Sequence, residues 1–460
     1  MRETYTVYTI DDKDDNNDDN GASSSTRDNE SNDFKHLDKG WSYVILFASF
    51  GTCCIIGANN YGTGIIHRIL LERYNESVVL TSWSGSLQLS LMCLSAPLAS
   101  VAIDKYSCRT SVILSGILFV CGYWATVFAP NMHVAIFTCG VTAGIAAGLG
   151  YTASIVVIGF NFKRRKHIAL GLTLSGMGAG ICAFAPLMDF VHTHYGSTGF
   201  FIVMATLSAN VITFGTLYFP SKLEIYTHKQ RERESESRFG GKHFVGTINM
   251  YCNSILKKPI VLLSVATFAY FGGTDIIFLN LPTFVLSKGF TSIQAALIVS
   301  LNGILSVVGR FITGLLASFK KINVFWLYSG CACIVAAAII VYPLIANVYF
   351  GQLTFSSVLG LFYASCYVLI SPLCSYFVDI HLTSAAIGFV LFSGGIGSLV
   401  GPMCAGVLLD NGGTYDQCLY SAGGCIMVAS VLGLLTSCCQ RKQRDSSSGT
   451  EPICLSYNHI

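Results

Sequence analysis

Apolar residues run along this chain in long blocks with only short polar breaks between them. Twelve such blocks begin near residues 42, 79, 109, 132, 167, 198, 259, 292, 323, 348, 383 and 415. A helix needs ~20 apolar residues to cross a hydrocarbon core of ~30 Å. Each block therefore predicts one membrane-spanning helix, numbered here as spans 1 to 12. The ~10-residue alternation of membrane β-strands does not occur in them. The stretch Asn161 to Gly180, NFKRRKHIALGLTLSGMGAG, shows how the blocks are joined. Four bases between two apolar blocks mark a short cytoplasmic loop, and the glycines that follow let span 5 approach a neighbouring helix closely. The fold class this predicts is an all-α membrane protein with twelve transmembrane helices.

Composition supports the pattern. The 460 residues are 52% hydrophobic and 12% charged, with a mean hydropathy of +0.57. Soluble domains carry roughly 25% charged residues, so a soluble enzyme or a nucleic-acid-binding chain is excluded. Most of the 18 cysteines, Cys53, Cys54, Cys139, Cys182, Cys331 and Cys333 among them, sit inside apolar blocks, where a free thiol packs as a small hydrophobe. They lack zinc-ligand spacing, and no metal or other cofactor is expected. No phosphate-cradling glycine loop is present, which argues against ATP-driven pumping.

Charge fixes the orientation expected. Residues 1–37 hold ten acids and four bases and no apolar run. They predict a disordered acidic cytoplasmic tail, not a signal peptide. Of the 28 bases, 24 fall at one set of ends and three, Arg68, Arg73 and Lys288, at the other, with Arg310 alone inside a span. The positive-inside rule then puts both termini in the cytoplasm. The longest hydrophilic break, residues 220–258 with the run KQRERESESR, divides the chain into an N-terminal half (38–219) and a C-terminal half (259–439), followed by a cytoplasmic tail (440–460). Two parallel six-helix halves are the architecture of the major facilitator fold. Spans 5 and 11 echo each other, SGMGAGICAFAPLMD against SGGIGSLVGPMCAGVLLD.

At the residue level the chain resembles the monocarboxylate transporters of the major facilitator superfamily. Their fifth-span signature, Y-F-x-K-[RK]-[RK]-x-L-A-x-G-x-A-x-A-G, matches Phe162, Arg164, Arg165, Lys166, Ala169, Gly171 and Gly176. Their first-span signature, [DE]-G-[GS]-[WF]-[GA]-W, matches Asp38, Gly40 and Trp41, while Lys39 departs from it. Similar stretches continue through HYGSTGFF, VGRFITGLLA and LVGPMCAGVLLDNGGTYD, so the resemblance covers roughly 38–440. It implies a plasma-membrane carrier, not an enzyme, that moves a lactate- or pyruvate-like organic anion, with or without a proton. A single-pass helper subunit is a family habit.

Candidate site residues follow from the cost of polarity in lipid. Arg310 is the one base inside a span, about ten residues before the predicted end of span 8, or ~15 Å deep. A central Arg costs roughly 2.5–3.5 kcal/mol to insert, and its planar fork suits a carboxylate. It either binds substrate or locks two helices; the resemblance implies the former. The proton-carrying relatives hold an Asp one turn before this Arg and a Lys late in span 1. Here Ser306 and Tyr61 stand there, beside Asn59 and Asn60, which could offer neutral hydrogen bonds to substrate. Asp275 in span 7 is the substitute proton-coupling candidate, expected ~22 Å up its span and paired across to Arg310, or else fixed by polar neighbours such as Asn280. Tyr151, Tyr363 and Tyr367 would contact substrate or pack as aromatics. Asp104, Lys105 and Arg109 resemble the superfamily's charged 2–3 loop, with Ser107 in place of its Gly, and Asp104, Arg109 and Asp379 are the expected cytoplasmic gate. Gly140, Gly144 and Gly148 read as a helix contact. The absent Lys opens two alternatives to a monocarboxylate carrier: a proton-independent facilitator of aromatic amino acids or larger carboxylates, and a non-transporting membrane sensor or scaffold.

Overall fold

A computed structural model describes residues 37–239, 258–319, 321–378 and 382–447. The acidic tail up to residue 36, the middle of the 220–258 break, Asp379 and the end of the C-terminal tail lie outside the described residues. Among those described, helices are the only regular elements. Eleven are long and apolar enough to cross a membrane, or twelve when the bent pair Trp83–Leu94 and Ala96–Lys105 is taken as one span.

The spans begin within a residue or two of the apolar blocks. Span 1 is Trp41–Tyr61, span 3 Cys108–Val127, span 4 Met132–Asn161 and span 7 Lys258–Ser287. Spans 8 to 12 are Ser292–Ala317, Val324–Ile345, Tyr349–Ser375, Thr383–Asp410 and Tyr415–Ser447. Span 2 bends by 43° at Ser95, where Pro97 opens its second piece and cannot continue the first helix's hydrogen bonding. Span 4 contains a π-helical segment, Ile136–Thr142. Spans 5 and 6 form one helical run, Lys166–Thr216, that turns back at Gly196. Its φ of 65° is a left-handed value that glycine adopts without a Cβ clash.

Two regions read as loops are helical. Residues Thr63–Tyr74 form a helix after span 1, and its Arg73 donates to the carbonyl of Val127 at 2.8 Å. A base there satisfies an open carbonyl at the end of span 3. The hydrophilic break starts with a helix, Lys222–Phe239. Ser221 caps it, accepting from the Glu224 amide at 3.2 Å. The Glu224 carboxylate, 2% exposed, accepts from the Cys108 amide at 3.0 Å. An acid at the N-terminus of span 3 complements the helix dipole.

Glycines set the closest packing. A Cβ at Gly144 would stand 2.8 Å from the Leu91 Cβ, and one at Gly140 2.9 Å from the Ser84 carbonyl oxygen. The Gly140–Gly144–Gly148 face is therefore where span 4 lies on span 2. Spans 1 to 6 pack mainly on one another, as do spans 7 to 12. The halves meet along two seams, span 5 on span 8 and span 2 on span 11.

Candidate functional site

Arg310 sits in the span 5–span 8 seam and is 3% exposed. It lies seven residues before the end of span 8, about 10 Å from that end, nearer than its sequence position suggested. Its Nη1 is 3.4 Å from where a Cβ on Gly178 of span 5 would stand, and the Ser306 hydroxyl is 3.1 Å from the same point. The missing side chain at Gly178 thus leaves room for the guanidinium. The Cys53 thiol of span 1 lies within its electrostatic reach and close to Ser154 of span 4. Residues of both halves therefore surround one cation.

The backbone below Arg310 is part of the seam. A Cβ on Gly171 would lie 2.7 Å from the Arg310 carbonyl oxygen and 2.9 Å from the Gly314 Cα; one on Gly314 would lie 2.6 Å from the His167 carbonyl oxygen. Gly171 of the fifth-span signature therefore touches the other half of the molecule. Gly176, five residues on, packs within its own half against Phe50 and Cys54 of span 1.

Asp275 occupies the other seam. It stands seventeen residues into span 7, about 26 Å from its start. The Ser398 hydroxyl of span 11 lies near its carboxyl, and the Cys93 thiol of span 2 lies within electrostatic reach. Among the described residues no ion pair joins Asp275 to Arg310, which corrects the pair expected across spans 7 and 8. The helices carry the two groups to different heights and different seams. Phe271, Asp275 and Phe278 share one helix face, spaced four and three residues apart. Phe271 stacks on Tyr367 with ring centroids 4.6 Å apart, and Phe278 meets Tyr363 at 4.7 Å. Aromatic pairs thus lie one turn before and one turn after Asp275 on its helix. Asp275, Phe278 and Tyr367 are half-buried, whereas Tyr363 is buried.

Asn59 and Asn60 are engaged elsewhere. Asn59 donates to the Ile55 carbonyl at 3.0 Å and to Ser208 of span 6 at 3.3 Å. Asn60 donates to the Met92 sulfur at 2.6 Å and accepts from Gln88 at 3.4 Å. Both asparagines are therefore engaged inside the N-terminal half and are not brought to Arg310. Tyr151 is 1% exposed in span 4. Tyr61 is the last residue of span 1, and its side chain lies outside the described set.

The end of the bundle bearing the basic loops is closed by cross-half contacts. The Ser384 hydroxyl of span 11 donates to Asp104, and the Ser100 hydroxyl donates to the Ser384 carbonyl at 2.7 Å. Arg109 does not join them: its guanidinium lies 4.8 Å from the Phe219 ring. Asp379 is outside the described residues. On the other seam, Lys166 Nζ donates to the Ser375 hydroxyl of span 10 at 3.0 Å. The first- and fifth-span signatures form one structure. The Asp38 carboxylate accepts the amides of Lys163, Arg164 and Arg165 at 3.2, 2.9 and 3.1 Å, and Arg165 donates to the Tyr43 hydroxyl at 2.7 Å. Among the described residues no cluster of His, Cys, Asp and Glu could hold a metal ion.

Ser384, Ser375, Ser398, Cys53 and Cys93 were not legible as site residues, since small polar and thiol groups within spans carry no sequence signal of their own. Lys166 was legible only as the last base of a topogenic run.

Comparison with known proteins completes the picture. Residues 46–402 match the family model described as Major Facilitator Superfamily. Monocarboxylate transporter 9 of Gallus gallus is 24% identical, over 91% of this chain and 97% of that protein. Monocarboxylate transporter 12 of Mus musculus is 25% identical, over 86% and 85% respectively. The E. coli fucose:proton symporter FucP superposes with a TM-score of 0.63 at 15% identity, covering 86% of this chain and 99% of that one. The proton:xylose symporter XylE superposes with a TM-score of 0.64 at 12% identity, covering 87% and 95%. At these identities the two solved structures establish the shared twelve-helix fold alone.

Proposed function

The chain belongs to the Major Facilitator Superfamily, and on that premise we propose that it carries a small organic carboxylate across the membrane by alternating access, with Arg310 as the carboxylate anchor. It is a multi-pass membrane transporter, not an enzyme. The observation that carries the proposal is Arg310 itself, 3% exposed in the seam between the halves and facing the gap at Gly178. Ionisable groups within membrane spans are rare, and those that face the interior of the bundle mark substrate paths. The names of the relatives at 24–25% identity support a monocarboxylate as cargo.

The finer parts of the proposal rest on the sequence. The 24-to-3 split of bases supports cytoplasmic termini, and so makes the closed, basic end the cytoplasmic one. The Asp104–Ser384 and Lys166–Ser375 contacts then form its gate, and the halves rock about the site as those contacts open. Asp275 is the acidic group available for coupling to a proton. A plasma-membrane location and a single-pass helper subunit follow from family likeness alone.

Reconstitution into liposomes tests the proposal. Labelled lactate, pyruvate and aromatic amino acids are offered at pH 6 and pH 8. Uptake of a carboxylate that Arg310→Ala abolishes is the expected result. No uptake of any carboxylate, with wild type and Arg310→Ala alike, would favour the non-transporting sensor.

A further inference from the structure

The helix Lys222–Phe239, which follows span 6, meets the bundle through one face of its first turns. Leu223, Glu224 and Thr227 are buried there. The Ser221 cap donates to the Phe160 carbonyl near the end of span 4 at 3.1 Å, and Glu224 accepts from the Cys108 amide that opens span 3. Lys222, Ile225, Tyr226 and Lys229 are exposed. The last three follow Lys222 by three, four and seven residues, so all four share one helix face. On it two large apolar side chains, 48% and 51% exposed, lie between two lysines. Glu224 is the only acid from residue 217 to 230, and it is turned into the bundle.

The surroundings fix the level at which this face begins. Trp41 opens span 1; its indole donates to the Leu217 carbonyl at 3.1 Å and meets the Phe219 ring edge-on, with centroids 5.4 Å apart. The Arg109 guanidinium, from the first turn of span 3, lies over the same Phe219 ring. Lys105 Nζ lies 5.5 Å from the exposed Tyr106 ring. Aromatic rings interleaved with bases at the ends of spans mark the headgroup layer of a membrane. The helix starts three residues after Phe219, at that layer.

We infer that the face formed by Lys222, Ile225, Tyr226 and Lys229 is a binding site for anionic phospholipid in the leaflet at the basic end of the bundle. Interfacial helices bind through apolar area sunk to the acyl boundary plus attraction of bases to anionic headgroups. Both parts are present on this face. Ile225 and Tyr226 supply the apolar area, and the lysines lay their stems along it while their ammonium groups reach the phosphates. A soluble anion would use the lysines and leave the two apolar side chains in water. With the basic end cytoplasmic, as the split of bases supports, the leaflet concerned is the one that carries anionic lipid. The Ser221 and Glu224 contacts then tie the bound lipid to the ends of spans 3 and 4.

The test is photo-crosslinking of the full chain in lipid nanodiscs. Phosphatidylserine and phosphatidylcholine carry the same photoreactive group near the glycerol, and labelling of residues 217–230 is read by peptide mass spectrometry. Each surface base favours an anionic headgroup by about fivefold. Wild type is therefore expected to be labelled by phosphatidylserine at least about fivefold more than by phosphatidylcholine, and the excess is expected to shrink in high salt. The double variant Lys222→Gln with Lys229→Gln is expected to lose that excess. Ile225→Ser with Tyr226→Ser is expected to lower labelling by both lipids several-fold. Lys163→Gln with Arg164→Gln, exposed bases of the 4–5 loop, is expected to leave the ratio within about twofold of wild type. All of these positions are exposed, where substitutions leave stability nearly unchanged. Equal labelling by the two lipids, or none by either, overturns the inference. So does an excess that survives loss of both lysines, which assigns it to the general charge of the basic end. An excess that needs the lysines but ignores Ile225→Ser with Tyr226→Ser also overturns it, since the face then takes a soluble anion or an acidic peptide.

Discussion

Both seams that join the halves bring glycines close to a facing helix, but they differ in what lies nearest the basic end. Under Arg310, span 5 and span 8 touch backbone to backbone at Gly171 and Gly314, with no side chain between them. On the other side, spans 2 and 11 are held by hydroxyls and a carboxylate, with Ser100 and Asp104 meeting Ser384. A steric seam is made or broken as a unit, because any Cβ within it clashes. A hydrogen-bonded seam can lose one bond and keep the rest. The helix carrying the proposed carboxylate anchor is thus held at this point by backbone contact alone.

Substitutions in each seam test that difference, and the largest effect belongs to the steric one. Gly171→Val places carbon 2.7 Å from the Arg310 carbonyl oxygen, and overpacking of this kind costs about 1–3 kcal/mol. Transport is expected to fall at least tenfold, with His167 becoming accessible to a water-soluble reagent from the basic end. Normal transport and continued protection would break the comparison.

Asp104→Ala comes next. It removes a charge-assisted bond worth about 1.5–3 kcal/mol where both groups are buried, less here because Asp104 is half-buried. A several-fold loss of uptake is expected in reconstituted liposomes. Ser375→Ala removes a single bond from Lys166, worth about 1 kcal/mol, and is expected to cost transport about threefold. Arg109→Ala should do least. Its contact is with the Phe219 ring and not with the other half, so transport within twofold of wild type is expected. A loss as large as that of Asp104→Ala would restore Arg109 to the gate.

The span boundaries were legible because insertion depends on hydrophobic length, which is written locally. Met132, Ser292, Thr383 and Tyr415 begin helices at the residues the apolar blocks indicated. The helix at Lys222 was missed although Ser221 and Glu224 form a capping pattern, because charge density masked it. The site divides in the same way. Arg310 declares itself through the cost of a charge in lipid. The neighbours of Asp275 do not, since Ser398 and Cys93 are ordinary span residues brought near it only when distant helices meet. Asn59 and Asn60 looked like cavity groups, but helix rotation turns them toward Ser208 and Met92.

The most direct measurement of the central claim is carboxylate uptake by wild type, Arg310→Lys and Arg310→Ala proteins reconstituted side by side. The account predicts robust uptake by wild type, a weak residue with Lys, which keeps the charge but loses the two-pronged fork, and none above empty liposomes with Ala. Equal uptake by all three would contradict it, because the buried cation at the seam would then bind no cargo.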